Sequence, residues 1–434
     1  MEVNFMHIRL KTKLETKARH REMECRVFDL KVQKNHLSKD NKEHLHRLFR
    51  EAKWFYNHCV EFLNQGKLDD VDTKTRIVPV KTPDGIDYRG LTALSSQMKQ
   101  GIHERLWSNL KSLSSQKKGG SKVGRIWFKP RIDSIPLKQF EVTYDLDRQG
   151  KRVRLQGLPK WLRVNGFDQV PLDSEIANAH LARGRGSYYL KVTTYCQPED
   201  KAKEGIIGID AGCGTQLTLS NGVKVGFGSL VPRNVRKADH VLARKRGERK
   251  GYWSGKYGKA KDKRIKAYGR WVNQKKDARN KVVNVLSRTF GTICMQDENV
   301  KGWQAGGHGK AVSRTNIGGT MLALQRKATT PLMVGRFFPS TKTCSACGFK
   351  KDEMRVWERV YDCPGCKAKL DRDVNAAINI LVEGMRKLPA ERRKTMPLEG
   401  GASSTGLLGS LNTIPTVRAK FCPVNGEANE FIRW

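Results

Sequence analysis

Four of the ten cysteines form two closely spaced pairs in the last quarter of the chain. Cys344 and Cys347, then Cys363 and Cys366, give two C-x2-C pairs separated by fifteen residues. Each pair can form a turn whose two thiolates point at one ion, and two such turns complete a tetrahedral four-sulfur site. This pattern is typical of structural Zn2+, while a redox pair or an iron–sulfur cluster is the alternative. We expect a zinc ribbon that folds a short basic hairpin and takes no part in catalysis.

Two acidic residues lie where a nuclease would need them. Asp210 ends the apolar run GIIGID and precedes Ala211 and Gly212, which are small enough to let a phosphate approach. Asp373 lies at the start of a predicted helix, DRDVNAAINIL. Carboxylates from distant segments can hold two Mg2+ ions about 4 Å apart, which activate water and stabilise a leaving oxygen. A single Asp in such a place is more often a helix cap or a turn former.

A third candidate lies between them, in ICMQDENVKGW, residues 293–303. There Gln296, Asp297 and Glu298 follow an apolar run. Their types alone do not decide which of them, if any, binds a metal.

The charge of the chain indicates its partners. Lys and Arg total 83 against 43 Asp and Glu, which gives a formal net charge of +40 over 434 residues. The excess extends from the N-terminal helix to the ribbon near 350, so it is more than a few solvated lysines. A polyanion is the expected partner, and nucleic acid is favoured over a membrane or an acidic protein.

One loop combines cations with aromatic residues and is a candidate nucleic-acid-binding segment. Basic residues interleaved with aromatics can hold phosphates and stack bases. An ordinary loop whose aromatics anchor it to the core is an equally good interpretation. The candidate contacts are Lys122, Arg125, Trp127, Lys129 and Arg131.

The remaining cysteines and the hydropathy predict a cellular location. Six cysteines are scattered singly, mostly beside apolar residues, which favours reduced buried thiols over disulfides. No apolar run reaches the ~18 residues of a spanning helix, and the N-terminus has no continuous apolar signal core. We expect a cytoplasmic, nucleoid-associated prokaryotic protein with no membrane partner.

Periodicity predicts two kinds of architecture. RVFDLKV alternates as a strand, and helical spacing follows from about 37 to 63 and again from about 91 to 113. Short alternating strands between 139 and 196 suggest a small β-barrel into which the two helices are inserted. Beyond 201–205, the order is three strands in a meander, helix, strand, helix, strand, helix. This is the order of an RNase H-like α/β core.

Several motifs together resemble a known family. GIDAG, NVKG, T-x-x-C-S-x-C-G, C-x-x-C and DRDVNAAINI are similar to the TnpB family of transposon-encoded RNA-guided nucleases and to related compact type V CRISPR effectors. The match is strong from about 205 to 381 and weaker for WFYN near 54 and for the FKPR loop. The chain alone does not distinguish a transposon nuclease from a CRISPR effector.

The resemblance implies a multidomain α+β fold. It comprises a small β-barrel (wedge) domain with a helical recognition insertion, followed by a RuvC-like nuclease domain that carries the ribbon. The expected boundaries are 1–24 for an N-terminal arm, 25–37 for the first wedge strand, 38–125 for the recognition insertion, 126–203 for the rest of the wedge, 204–340 for the nuclease, 341–369 for a target nucleic-acid-binding zinc ribbon, 370–387 for the last nuclease helix and 388–434 for a flexible C-terminal tail.

The resemblance also implies an activity. A guide RNA would pair with one strand of double-stranded DNA, the protein would read a short adjacent motif, and one RuvC-like site would cut with two Mg2+ ions. The +40 charge would then serve to hold nucleic-acid backbones while base pairing supplies specificity. The alternatives are a nuclease-inactive RNA-guided repressor and a structure-specific nuclease that uses no RNA. Both a monomer and a homodimer on one RNA are compatible with the sequence.

By the same resemblance, Asp210 and Asp373 are the first and last catalytic acids. Asp371 does not correspond to the motif's acid, and its ordinary interpretation is a surface helix cap. The usual family text E-D-L-N-V-K-G would place the middle glutamate at Gln296, whose neutral amide binds Mg2+ poorly. Strand alternation puts Gln296 and Glu298 on one face, about 6 to 7 Å apart. We therefore expect Glu298 to supply the third carboxylate and Asp297 to point away; loss of that carboxylate would leave a protein that binds without cutting.

Overall fold

The computed structural model describes residues 14–184, 187–197, 205–227, 231–245, 255–355, 357–389, 407, 410–413 and 417–422. The chain divides between residues 200 and 201 into two compact units, called unit 1 and unit 2 below. The assignment of their parts to wedge, recognition and nuclease domains stays a prediction. No helix in the described ranges is long and apolar enough to cross a membrane.

Unit 1 is built on an antiparallel sheet of seven strands, in the order β4-β8-β9-β1-β7-β6-β5. The strands of the unit are β1 (Glu24–Val32), β2 (Ile77–Thr82), β3 (Gly85–Gly90), β4 (Ser134–Leu137), β5 (Tyr144–Asp147), β6 (Arg152–Leu155), β7 (Leu162–Asn165), β8 (Glu175–Gly184) and β9 (Ser187–Cys196).

The first strand lies in the middle of this sheet. β1 alternates, with Leu30 and Val32 buried and Lys31 exposed, and it pairs with both β9 and β7. The helices that follow it in sequence are therefore inserted between strands of one sheet. Closure of the sheet into a barrel stays a prediction.

Two helices form the inserted part, α1 (Lys39–Asn64) and α2 (Ser96–Lys118). Ser38 caps α1, since its hydroxyl accepts a hydrogen bond from the amide of Asn41 at 3.2 Å. α2 begins five residues later than the helix predicted from residue 91. The buried carboxylate of Glu51 accepts hydrogen bonds from the amides of Ala93 and Leu94, at 2.7 and 2.9 Å, which holds residues 91–94 outside the helix.

A hairpin lies in the chain between α1 and α2, where periodicity predicts no element. β2 and β3 pair antiparallel from Ile77 with Gly90 to Thr82 with Gly85. Gly85 adopts φ +130°, a left-handed value that favours glycine in the turn. Only one face is covered, with Val78 fully buried while Ile86 and Tyr88 are exposed, so the strands lack the apolar run that would predict them.

Unit 2 contains a six-stranded sheet in the order β14-β13-β10-β11-β12-β17, and a small two-stranded ribbon of β15 and β16. The strands are β10 (Ile206–Ala211), β11 (Leu217–Leu219), β12 (Val223–Gly226), β13 (Thr292–Gln296), β14 (Thr330–Val334), β15 (Val360–Asp362), β16 (Lys369–Asp371) and β17 (Arg418–Phe421). The helices are α3 (Arg233–Arg244), α4 (Gly255–Thr289), α5 (Val300–Trp303), α6 (Gly309–Thr315), α7 (Ile317–Lys327) and α8 (Arg372–Arg386).

The strand directions confirm the predicted core arrangement. β10, β11 and β12 form an antiparallel meander, and β13 and β14 add to β10 as parallel strands. Parallel neighbours need helical crossovers, and α4 and α7 provide them on the way into β13 and β14. The carboxyl ends of β10 and β13 therefore lie side by side.

Part of the segment expected to be a flexible tail is folded. β17 pairs antiparallel with β12, and the side chains of Leu407, Leu411 and Val417 are buried in the core of unit 2. The prediction of flexibility is wrong for residues 417–422, because an open sheet edge at β12 accepts a strand that glycine- and serine-rich composition does not reveal. The rest of 390–434, apart from residues 407 and 410–413, lies outside the described residues.

Candidate functional site

The four cysteines of the ribbon converge on one point. Their sulfur atoms all lie within 4.8 Å of one another, with 3.7 Å between Cys344 and Cys366 and 3.5 Å between Cys347 and Cys363. Tetrahedral Zn–S bonds of about 2.3 Å place sulfurs about 3.8 Å apart, so the cluster fits one Zn2+ ion. The amide of Cys366 lowers the pKa of Cys363 to about 6, which favours the thiolate that a metal requires.

The first acidic candidate is brought to α8 by a close helix–strand contact. Gly208, two residues before Asp210 on β10, leaves no room for a side chain: an added Cβ would lie 2.2 Å from the carbonyl oxygen of Ala377. The N-terminus of α8, with Asp373, therefore packs beside the end of β10. Burial raises the pKa of Asp210 well above its ordinary value, and the carboxylates of Asp373 and Glu298 raise it further. The three predicted acids thus share one electrostatic site.

Asp371 caps α8, as predicted. Its carboxylate accepts hydrogen bonds from the amides of Asp373 and Val374, at 3.1 and 3.0 Å. Its predicted surface position is wrong, because its side chain is only 12% exposed and binds Lys224 at 2.7 Å. The cap is therefore a largely enclosed part of the acidic site.

Two cations balance the charge of this site, and no sequence pattern predicts their roles. Lys224 on β12 is 8% exposed, and its amine lies 2.7 Å from Asp371 and 3.8 Å from Asp373. The guanidinium of Arg372 lies 2.8 Å from Asp373. A lysine is almost never buried unless it is paired. Within the run VKVG, however, Lys224 resembles a strand residue that faces solvent, so neither this run nor the spacing of the acids predicts its role.

Gln296 lies at the position where the family motif has glutamate. Both ends of its side-chain amide form hydrogen bonds within the protein. Its buried side-chain amide lies 3.3, 3.1 and 2.8 Å from the carbonyl oxygens of Gly335, Arg336 and Phe338, to which it donates. Its oxygen accepts a hydrogen bond from the hydroxyl of Ser340 at 2.9 Å. A glutamate here would turn a carboxylate toward carbonyl oxygens. Gln296 therefore anchors the segment that leads into the ribbon.

Glu298 lies beyond the strand. β13 ends at Gln296, and Glu298 occupies the turn before α5, which Asn299 caps through the amide of Gly302 at 3.0 Å. Exposure still alternates beyond the strand end, with Gln296 buried, Asp297 exposed and Glu298 partly buried, and the choice of Glu298 as the third acid stays a prediction. Glu298 nevertheless lies near enough to Asp210 to raise its pKa. Burial, followed by Asp297, raises the pKa of Glu298 itself to about 7, against the opposing charge of Arg336.

Asp297 is the other acid of this segment and points away from the site. Its side chain is exposed, and its carboxylate pairs with Arg336 at 2.8 Å. Because this pair is solvent-accessible, it contributes little to stability. Asp297 is thus a natural control for any experiment on Glu298.

The carboxylate oxygens of the three acids do not form a group as compact as the four sulfur atoms. Among the described residues, only the four cysteines form a group of three or more possible ligands whose atoms all lie within 4.8 Å. Glu298 and Asp373 nevertheless lie close enough to Asp210 to raise its pKa, and carboxylate oxygens are the donors that the hard cation Mg2+ prefers. The donor chemistry therefore fits Mg2+, with Lys224 and Arg372 beside Asp373.

Two asparagines of α8 join the acidic site to the ribbon. Asn375 accepts from the amide of Ser345 at 2.8 Å and donates to the carbonyl of Thr343 at 2.7 Å. Asn379, one turn later, donates to the carbonyls of Ser340 and Thr343, at 2.8 and 2.7 Å. Since positions i and i+4 share one helix face, this spacing explains both asparagines of DRDVNAAINI. The helix that carries Asp373 also holds the base of the ribbon.

In unit 1 the candidate nucleic-acid residues lie on an extended, exposed segment. Lys122, Arg125 and Arg131 are exposed, and the side chain of Trp127 is 66% exposed. The backbone of Lys129 is fixed by Asn57 of the WFYN motif, which accepts from its amide at 2.8 Å and donates to its carbonyl at 3.1 Å. The two weaker family motifs are therefore in direct contact, and the ring of Trp127 beside them is exposed.

Comparison with known proteins gives matches to a sequence family and to individual relatives. The sequence model described as "Cas12f1-like, TNB domain" matches residues 324–380. A "Putative RNA-guided DNA endonuclease" of Streptomyces pristinaespiralis is 30% identical over 191 residues, which are 42% of this chain and 46% of that protein. "TnpB-like protein L79" of Acanthamoeba polyphaga mimivirus is 34% identical over 143 residues, 28% of this chain and 25% of that protein.

The predicted resemblance to the TnpB family is confirmed. The match spans about half the length of the Streptomyces relative and a quarter of the mimivirus one. A solved structure titled "Cryo-EM structure of the Cas12f1-sgRNA-target DNA complex" aligns at 14% identity and a TM-score of 0.44, over 83% of this chain and 99% of that one. In this TnpB-like chain, the region matched by the TNB model contains all four cysteines, Asp373 and the two asparagines that hold the ribbon.

Proposed function

We propose that the chain is an RNA-guided DNA endonuclease that cuts target DNA at a single Mg2+-dependent site. The supporting observation is that Glu298 and Asp373, from two distant segments, lie close enough to Asp210 to raise the pKa of its carboxyl group at the end of an RNase H-like sheet. Relatives that match this chain are named putative RNA-guided DNA endonucleases. The metal-binding chemistry of the three acids is consistent with the activity for which these relatives are named.

The three carboxylates would hold two Mg2+ ions, which supply an activated water and stabilise the leaving oxygen of the phosphodiester. Lys224 and Asp371 orient the first turn of α8 and thereby the carboxylate of Asp373. Gln296 keeps the segment after β14 in place beside Glu298. Each of these neighbours acts on position and charge and takes no part in bond cleavage.

The proposed partners are a guide RNA and double-stranded DNA. A net charge of +40 suits a protein that holds two polyanions by their backbones while base pairing selects the sequence. In this proposal Lys122, Arg125, Lys129 and Arg131 contact phosphates, and Trp127 stacks on a base. The zinc ribbon contributes a rigid basic surface for the target, and its Zn2+ ion is structural.

The test is cleavage of a matched duplex by the purified chain with its co-purified RNA and Mg2+. We expect Asp210→Ala and Glu298→Ala each to reduce the single-turnover cleavage rate by about 10³-fold or more, since each removes a metal-binding charge. Asp297→Ala should cut at the parental rate. Loss of cutting with Asp297→Ala but not with Glu298→Ala would refute the assignment of the third acid.

A second candidate function is guided DNA binding without cleavage. It is favoured by the neutral Gln296 at the glutamate position and by carboxylates that are drawn together less closely than the cysteines. In the same assay, RNA-dependent retention of the matched duplex with no cleavage at any Mg2+ concentration would support this second function. RNA absent from the purified chain would contradict both functions.

A further inference from the structure

Four polar side chains form one continuous row of hydrogen bonds inside unit 2. Gln296, Ser340, Asn375 and Asn379 are each between 1 and 6% exposed. The hydroxyl of Ser340 donates to the side-chain oxygen of Gln296 at 2.9 Å, and the carbonyl of Ser340 accepts from Asn379 at 2.8 Å. Asn379 and Asn375 both donate to the carbonyl of Thr343, at 2.7 Å each. We call these four side chains the polar bridge.

The polar bridge fixes three segments relative to one another, namely the end of β13, the stretch 335–345 and α8. A buried polar group that loses its partner destabilises a fold, whereas apolar side chains of similar size could fill the same space without that risk. A buried network whose members are hydrogen-bonded holds its segments in one arrangement. None of the four side chains is assigned to a metal in the proposed function, so what they share is an effect on position.

One end of the polar bridge reaches the first cysteine pair. Asn375 accepts a hydrogen bond at 2.8 Å from the amide of Ser345, which lies between Cys344 and Cys347. The amide of Cys344 donates to the carbonyl of Phe349 at 2.8 Å, which closes the turn that carries this pair. The position of the first cysteine pair is therefore set from α8.

The second cysteine pair is connected to the same helix by another route. Cys363 follows β15, which pairs antiparallel with β16, and β16 ends at Asp371, the cap of α8. A Zn2+ ion held by both pairs would therefore close a ring that leaves α8 at Asn375 and returns to it at Asp371. Closing a loop reduces the conformations open to the chain within it. Asp373, two residues after the cap, lies inside this ring.

The other acids are attached to the same framework. Gln296, the far end of the polar bridge, comes two residues before Glu298 in the chain. α8 packs so closely on β10 that a Cβ added at Gly208 would lie 2.2 Å from the carbonyl oxygen of Ala377, and Asp210 ends the same strand region. A shift of α8 would therefore change the spacing of all three carboxylates.

We propose that the polar bridge couples the two metal sites, so that Zn2+ in the cysteine cluster strengthens divalent-cation binding by Asp210, Glu298 and Asp373. The bridge residues are positioning residues, which act through α8 and β13 and touch neither ion. Coupling between two binding equilibria is reciprocal, so a divalent cation at the acids must raise the affinity for Zn2+ by the same factor. The proposal rests on the proposed function for the existence of the acidic metal site.

The experiment measures the dissociation constant of Zn2+ for the full chain, with and without saturating Mg2+, by equilibrium competition with a chelator that binds Zn2+ but not Mg2+. In the parent, Mg2+ should tighten Zn2+ binding about fivefold or more. In Asn375→Ala/Asn379→Ala this ratio should fall to about one, whatever happens to the absolute affinity. Because each ratio compares one variant with itself, a general loss of stability cancels.

Two further variants keep the test decisive. Ser340→Ala leaves both asparagines in place and breaks only the link to Gln296, so it should fold and give a ratio between those of the parent and the double variant. Asn273→Ala changes an exposed asparagine in the interior of α4 and should keep the parental ratio. Direct binding of Mn2+, measured from the electron paramagnetic resonance of the free ion, should be several-fold weaker in the double variant and lost in Asp210→Asn.

The outcomes separate the coupling from the proposed function. A parental ratio in both Asn375→Ala/Asn379→Ala and Ser340→Ala would overturn the coupling and leave the proposed function standing. So would a ratio of one in a parent that binds Mn2+ through Asp210, since the two sites would then be independent. Mn2+ binding that is absent from the parent, or unchanged in Asp210→Asn, would contradict the proposed function and the coupling with it.

Discussion

The four-cysteine cluster and the three-acid site of unit 2 differ in how completely the protein positions their ligands. The sulfurs already lie within 4.8 Å of one another, whereas the carboxylates of Asp210, Glu298 and Asp373 are not part of any group that meets this limit. The cysteines come from one segment of 23 residues, while the acids come from β10, a turn and α8. Local sequence can therefore build the first site almost alone, and the second depends on the whole sheet.

Charge explains the rest of the difference. Thiols carry less charge than carboxylates and can approach one another more closely, and metal binding requires their thiolate forms. Carboxylates repel one another, and here the charges of Glu298 and Asp373 raise the pKa of Asp210, while Lys224 and Arg372 oppose that rise. The cations beside the acids are therefore as informative about this site as the acids themselves.

The largest effect should come from removing the cysteine cluster. In Cys344→Ser/Cys363→Ser we expect zinc content to fall from about one ion per chain to none, with loss of the ~10 to 16 kcal/mol by which structural Zn2+ stabilises such a fold. Metal analysis and limited proteolysis of residues 341–369 measure this. The matched control is Cys25→Ser, an exposed cysteine outside the cluster. Unchanged zinc content in the double variant would show that these thiols are not the ligands.

An intermediate effect should follow from removing the cation of the acidic site. Lys224→Met leaves Asp371 and Asp373 buried without this partner, so the free energy of unfolding should fall by about 3 to 5 kcal/mol in metal-free protein. Lys281→Met, which breaks an exposed pair with Asp277, should cost about 0.5 kcal/mol or less.

A double variant separates charge from packing at this position. Lys224→Met/Asp371→Asn removes both charges of the pair and should recover part of the stability in chemical denaturation. If the double variant is no more stable than Lys224→Met, the lysine acts by filling space and not by balancing charge.

The smallest effect should come from restoring the family's usual residue. Gln296→Glu replaces an amide donor with a carboxylate that faces three carbonyl oxygens, so it should destabilise the chain by about 1 to 3 kcal/mol. The exposed Gln304→Glu is its control and should melt like the parent. Gln296→Glu should not rescue Glu298→Ala in the cleavage assay. Rescue would mean that position 296 reaches the metal and that our interpretation of Gln296 is wrong.

Sequence predicts the parts of this molecule that depend on local pattern. The cysteine spacing, the cap at Asp371 and the meander-then-parallel strand order follow from residues close together in the chain. The positions of Asp210 and Asp373 follow from strand and helix ends. The zinc-type site is for this reason the most completely predicted feature.

The missed features depend on residues that are distant in sequence. The role of Gln296 is set by carbonyl groups about forty positions later, and Lys224 is explained only by the carboxylate of Asp371, 147 residues away. The hairpin of β2 and β3 has one exposed apolar face, so its pattern does not separate it from a loop.

The strand β17 has a consequence for how this chain is handled. It covers the outer edge of β12, whose residues Val223, Lys224 and Val225 are all buried. A version that ends before Arg418 would expose that edge with its unpaired amides and carbonyls, which is a template for pairing between molecules. Shortening the chain at its glycine- and serine-rich segment would then produce a protein that associates through β12 and aggregates, even with every acid and cysteine in place.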